Sequence, residues 1–113
     1  MANYDELPVY KASYDLLLEI FRFVKDFTRE YKYTIGQTLK EETVSLVMLI
    51  YKANCSEDKK DIIVKTREKL EKIRLIIRLV KDLHQISTKK FVHINKRVEV
   101  VSKQLFGWQK SVK

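Results

Sequence analysis

Glycine, proline and cysteine are scarce in this chain, and each scarcity removes a class of structure. Two glycines and one proline stand among 113 residues, against ordinary usage of about 7% and 5%. Tight turns depend on these residues because they need either φ > 0 or a preset φ. A β-fold with many such turns is therefore excluded, and a few long helices with short connections are expected. Cys55 is the single cysteine, so no intrachain disulfide supports the core, as befits a reducing compartment. The longest apolar run covers only residues 46–51, whereas a membrane-spanning helix needs about 20. The opening Met1-Ala2-Asn3-Tyr4-Asp5-Glu6 is acidic and lacks the basic start and apolar stretch of a signal peptide. A cytoplasmic protein without membrane contact is expected.

Patterns that carry chemistry are equally sparse. A di-iron bundle needs inward carboxylates and Glu-x-x-His pairs, but Lys81 precedes His84 by three residues and Lys90 precedes His93. Cys55 and two distant histidines do not make a zinc set, which wants paired ligand spacing. With Gly36 and Gly107 as the only glycines, there is no phosphate-cradling loop. No catalytic residue, metal, cofactor or small-molecule substrate is expected.

What is present suffices for one core. The chain is 45% apolar and 34% charged, too apolar for a disordered segment. At this length it buries roughly two-thirds of its unfolded surface, so residues 1–113 read as a single domain. The first predicted helix covers residues 8–28, with Pro8 in its first turn. Tyr10, Tyr14, Leu17, Phe21 and Val24 recur at helical spacing, and a second stripe, Leu16, Ile20, Phe23 and Phe27, lies beside it. The second helix covers residues 33–53, with Ile35, Leu39, Leu46, Ile50 and Ala53 on one face and Gly36 near its start either permitting close packing or easing the entry turn. Ser56 is the expected cap of a third helix that reaches residue 84 and turns Ile63, Thr66, Leu70, Ile73, Ile77 and Val80 inward. Ser87 or Thr88 caps a fourth, with Phe91, Ile94, Val98, Val101, Leu105 and Trp108 inward. Short connections make an all-α, antiparallel up-down-up-down four-helix bundle. The first two helices hold more apolar residues than one core face uses, 12 in residues 8–28 and 11 in residues 33–54. Self-association is the expected use of that surplus.

The charge is positive and lopsided. The net charge is +8, yet residues 1–30 carry four basic and six acidic side chains, while the last 28 residues carry seven basic and one acidic. A clustered positive field attracts polyanions, whose released counterions drive binding. Lys89, Lys90, Lys96, Arg97 and Lys103 on the fourth helix are candidate phosphate contacts for RNA or DNA. Arg74 and Arg78 stand four apart in an apolar run, which predicts a shared, partly buried face. A partly buried guanidinium seeks a carboxylate or a phosphate. These two therefore bind nucleic acid or a protein partner, or else pair across the bundle with Glu19, Glu41, Glu42 or Glu99. Phe91 and Trp108 sit at core spacing, which leaves no stacking platform for unpaired bases.

Two resemblances bear on function. Arg78-Leu79-Val80-Lys81-Asp82-Leu83-His84 resembles the Arg-x(4–6)-His motif of HEPN ribonucleases, which implies His84 as the proton-transfer group and Arg78 as the phosphate stabiliser. The broader resemblance spans nearly the whole chain. Leu7-Pro8-Val9-Tyr10-Lys11 at the start, Phe27-Thr28-Arg29-Glu30-Tyr31-Lys32-Tyr33-Thr34-Ile35-Gly36-Gln37-Thr38-Leu39 entering the second helix, and Ala53-Asn54 closing it appear in order. Leu70 follows, through Arg74 to Arg78-Leu79, and then Phe106-Gly107-Trp108. This series resembles the accessory variability determinant (Avd) proteins of diversity-generating retroelements, with departures at Thr28, Lys32 and Phe106. Four-helix-bundle proteins encoded in intervening sequences of bacterial ribosomal RNA genes share the architecture. The Avd resemblance implies a homopentameric barrel without chemistry of its own. Its implied partners are a retroelement reverse transcriptase and nucleic acid, during mutagenic copying of a template RNA and retrohoming of the product into a target gene.

Overall fold

Helix-forming residues dominate between a small number of breaks, and the breaks decide the architecture. A computed structural model describes residues 6–112, and the acidic opening at residues 1–5 lies outside them. The elements are α1 (Pro8–Lys25), the short α2 (Arg29–Lys32), α3 (Ile35–Cys55), α4 (Lys60–Asp82) and α5 (Thr88–Ser111). No strand occurs among the described residues. The four long helices neighbour one another in the cyclic order α1, α3, α4, α5. The α1–α3 edge thus lies opposite the α4–α5 edge. Arg67 meets Gln109 and Arg74 meets Glu99, so positions rise along α4 as they fall along α5.

One apolar cluster fills the centre, with Leu16, Ile20 and Val24 of α1, Leu39, Leu46 and Ile50 of α3, Leu70, Ile73 and Ile77 of α4, and Ile94, Val98, Val101 and Leu105 of α5. Of the two stripes on α1, the one built on Leu16, Ile20 and Phe27 turns inward, whereas Tyr14 and Phe21 stay exposed. Gly36 of α3 packs tightly against Val24 of α1 and the backbone of α2. A Cβ there would stand 2.8 Å from Val24 Cγ1 and 2.9 Å from the Tyr31 carbonyl oxygen, so no larger residue fits without movement.

The second helix begins at Ile35 and ends at Cys55, two residues later at each end than expected, and a short α2 precedes it; three other boundaries differ from expectation, each for a local reason. The first helix stops at Lys25 instead of residue 28. The Thr28 N–H leaves the helical ladder and donates to Gln85 Oε1 at 2.8 Å, and Thr28 becomes the N-cap of α2. Ser56 closes α3 rather than opening α4. There the Lys59 ammonium donates to the carbonyl oxygens of Ala53, Asn54 and Ser56 at 3.2, 3.1 and 2.5 Å, neutralising the negative end of α3 and delaying α4 to Lys60. The expected extension to residue 84 ends at Asp82. His84 adopts φ 61° while its N–H donates to Lys81 O and that of Gln85 to Val80 O, the paired bonds of a left-handed helix terminus. At α5 the expected cap forms: Ser87 Oγ accepts from the Lys90 N–H at 3.1 Å.

Candidate nucleic-acid interface

Helix α5 buries Ile94, Val98, Val101 and Leu105 along one side, and that fixes what the other side presents. Lys89, Lys96 and Lys103 are all exposed there. Lys110, also exposed, continues the row at the same interval of seven. Seven residues rise about 10.5 Å along a helix and fall only about 20° short of two full turns. The four ammonium groups therefore form a slowly drifting row about 31 Å long. None makes an ion pair with a carboxylate among the described residues. Lys110 is absent from the sequence candidates because charge summed by segment does not register phase; the period of seven is the signal that finds it.

The remaining candidates occupy different surroundings. Lys90 is exposed and lies 5.6 Å from the centre of the Phe23 ring on α1. Arg97 is half-buried and engaged: its Nη2 stands 3.8 Å from Glu19 Oε1, where Arg22 also bonds at 3.0 Å and His93 Nε2 approaches Oε2 at 3.8 Å. It stitches α5 to α1 instead of lying open beside the lysines. Arg74 and Arg78 do not share the partly buried face that their spacing suggests. Arg74, 32% exposed, bonds across the bundle to Glu99 and lies 3.4 Å from Glu71, one of the two alternatives open in the sequence. Arg78, 63% exposed, turns along α4 to Asp82 at 3.4 Å. The residues between them divide this way because Ile73, Ile76 and Ile77 take the buried side and leave the outer flank for Leu75 and Arg78.

Electrostatics follow these contacts. The Arg74 hydrogen bond, its charge and that of Lys103 hold the Glu99 carboxyl below its ordinary pKa. On the α3–α4 seam, hydrogen bonds from Lys69 and Lys72 at 2.5 and 2.6 Å do the same to Glu42. Among the described residues no three histidine, cysteine, aspartate or glutamate side chains gather as a metal site, and no helix is long and apolar enough to cross a membrane. His84 is exposed, and its backbone serves to end α4.

Two further surfaces stand out. At the C-terminal end of the lysine row, the Phe106 ring is 50% exposed, with the Arg67 guanidinium 5.4 Å and the Lys110 ammonium 5.3 Å from its centre. On the opposite edge, Tyr14, Leu18 and Phe21 of α1 and Val44, Met48 and Tyr51 of α3 are exposed, each set at intervals of three and four. The Lys40 ammonium lies 5.1 Å from the Phe21 ring. Phe91 and Trp108 pack half-buried against the core, as their spacing predicts.

No curated protein matches the chain. The sequence does match the bAvd-like family over residues 9–112, a span that holds the core, the lysine row and both exposed edges, and the chain belongs to that family.

Proposed function

We propose that the protein is a non-catalytic accessory subunit of a diversity-generating retroelement. It acts in the cytoplasm as an up-down-up-down bundle that assembles with copies of itself into a homopentamer. It binds template RNA or cDNA and supports the retroelement reverse transcriptase in mutagenic copying and retrohoming. The reverse-transcriptase partner rests on family membership. The nucleic-acid role is carried by the unpaired lysine row of α5, Lys89, Lys96, Lys103 and Lys110. Four cations that make no ion pair among the described residues, Lys103 alone lying in the field of Glu99, attract a polyanion and release its counterions. Five copies would multiply the net charge of +8 fivefold in one particle. Lys90 and Arg78 add exposed charge at the helix ends, while Arg74 and Arg97 hold neighbouring helices in register beneath the row.

The apolar α1–α3 edge supports self-association, since exposed aromatic and aliphatic side chains in a contiguous strip gain by leaving water. The nucleic-acid reading is tested by titrating labelled single-stranded RNA with the protein at several salt concentrations. The double substitution Lys96→Glu/Lys103→Glu is expected to weaken binding at least tenfold and to lower the salt slope by about 1.4, near 0.7 for each phosphate that is no longer neutralised. Circular dichroism should be unchanged, because both side chains are exposed. Equal affinity and slope in the variant would remove α5 from the account.

A further inference from the structure

The lysine row explains attraction to any polyanion but not the aromatic ring at its end. Phe106 lies next to Leu105, which is fully buried, and an adjacent position is turned about 100° away on a helix. The ring therefore contributes little to the core. Instead it meets two cations from different helices. Arg67 of α4 is held by a hydrogen bond from its Nη1 to Gln109 Oε1, whereas Lys110 meets the ring and makes no hydrogen bond or ion pair among the described residues. Neither makes an ion pair with a carboxylate among the described residues. Gly107 follows, and a Cβ built there meets nothing within 4 Å. Packing inside the chain does not call for glycine at this helical position, where alanine would be favoured by about 1 kcal/mol. What glycine supplies is bare backbone beside an exposed ring.

We infer that Phe106, flanked by Arg67 and Lys110 and bordered by Gly107, is a stacking site for an unpaired base of a single strand lying along α5. The inference rests on the nucleic-acid reading above and gives it a substrate class, single-stranded over duplex. An aromatic face accepts any base, and cations beside it hold the flanking phosphates. The flexible Lys110 side chain swings from the ring to a phosphate as the base arrives, while Arg67 stays in place through Gln109. A paired base cannot enter, because its faces are already stacked in the duplex. Phe21, the other exposed phenylalanine with a cation, has one lysine and lies among Tyr14 and Leu18, surroundings that suit a protein partner better.

The test compares single-stranded RNA with duplex RNA of equal length on the wild type, Phe106→Ala, Phe106→Trp and Lys96→Glu/Lys103→Glu, with the solution mass of each measured by light scattering. Phe106→Ala is expected to lose about 5- to 150-fold in affinity for the single strand, the range of one stacked base, with duplex affinity and mass unchanged. Phe106→Trp should retain or exceed wild-type binding. A 2-aminopurine in the single strand should change its fluorescence on binding to the wild type and not to Phe106→Ala. Wild-type single-strand affinity in Phe106→Ala overturns the stacking site, and if the lysine variant is still weakened, the electrostatic reading survives alone. An equal loss on both RNAs, or a changed mass, assigns Phe106 to the fold or to a subunit interface and also overturns it. A wild type that binds neither RNA removes both readings together.

Discussion

The α1–α3 edge and the α4–α5 edge close the same core from opposite sides, yet they face outward with different chemistry. On the first, Tyr14, Leu18, Phe21, Val44, Met48 and Tyr51 are exposed, and among the described residues no ion pair joins α1 to α3. Each of the other three seams has one: Glu42 with Lys69 and Lys72, Arg74 with Glu99, and Glu19 with Arg97. On α4 and α5, Arg74 engages Glu99 and Glu71 and Arg78 engages Asp82, the lysine row of α5 makes no ion pair among the described residues, and the exposed apolar side chains there, Leu75, Val92 and Val100, lie among these charges. Apolar surface without charge gains by being covered with more protein, and unpaired cations gain by meeting an anion. Under the proposed function, assembly would fall to one edge and nucleic-acid binding to the other, so that each could be altered without touching the other.

The largest expected effect is on the first edge. Introducing charge at two exposed apolar positions, Phe21→Glu with Met48→Glu, should reduce the solution mass from a multiple to the single-chain 13.5 kDa while helicity is kept. Met48 is 62% and Phe21 45% exposed, so neither supports the monomer's core. An unchanged multiple would break this division of labour and move the interface to another edge. A wild type that is already monomeric would do so more simply.

The same edge depends on Gly36 for its closeness. Gly36→Ala should destabilise the fold by about 1–3 kcal/mol, the usual cost of overpacking, read as a lower midpoint in chemical denaturation. The helix-propensity gain of alanine, at most about 1 kcal/mol, works against that cost but does not move the Tyr31 carbonyl 2.9 Å away. A midpoint at or above the wild type would mean that α1 and α3 separate readily, and that the apolar strip is held by partners more than by this contact.

Much of this arrangement is legible in the sequence where a pattern depends on one helix alone. Apolar spacing locates the four long helices, and Ser87-Thr88 marks the start of the last, with the structure choosing Ser87 as the cap. The two stripes on α1 reveal surplus apolar surface, but spacing cannot say which stripe faces the core; that depends on where α3 lies. Ser56 reads as a cap by residue type, and only the reach of the Lys59 ammonium across three carbonyls shows it ending α3. Arg74 and Arg78 share a face by spacing and separate because their carboxylate partners, Glu99 and Asp82, lie on different helices. Likewise Phe106 becomes a site only when Arg67 of α4, 39 positions earlier in the sequence, is brought over its ring.

Acid offers the smallest but most selective test of the two edges. Hydrogen bonds from Lys69 and Lys72 hold Glu42 below its ordinary pKa in the folded chain, so unfolding raises that pKa and the unfolded chain binds the proton first. The stabilisation is then fully present above the unfolded value and is lost as pH falls through the folded one. Glu99, lowered by Arg74, shares this sign. Stability should therefore be level from neutral pH down to the ordinary carboxylate range and decline below it. Glu42→Gln should remove part of that decline and cost about 1 kcal/mol at neutral pH, the scale of one well-formed ion pair. The α1–α3 edge has no such carboxylate pair to lose, so the solution mass should hold through the first part of the acid range while the midpoint of denaturation already falls. Dissociation that precedes the loss of stability would show that carboxylates also hold the copies together, and the apolar edge would no longer be a sufficient account of assembly.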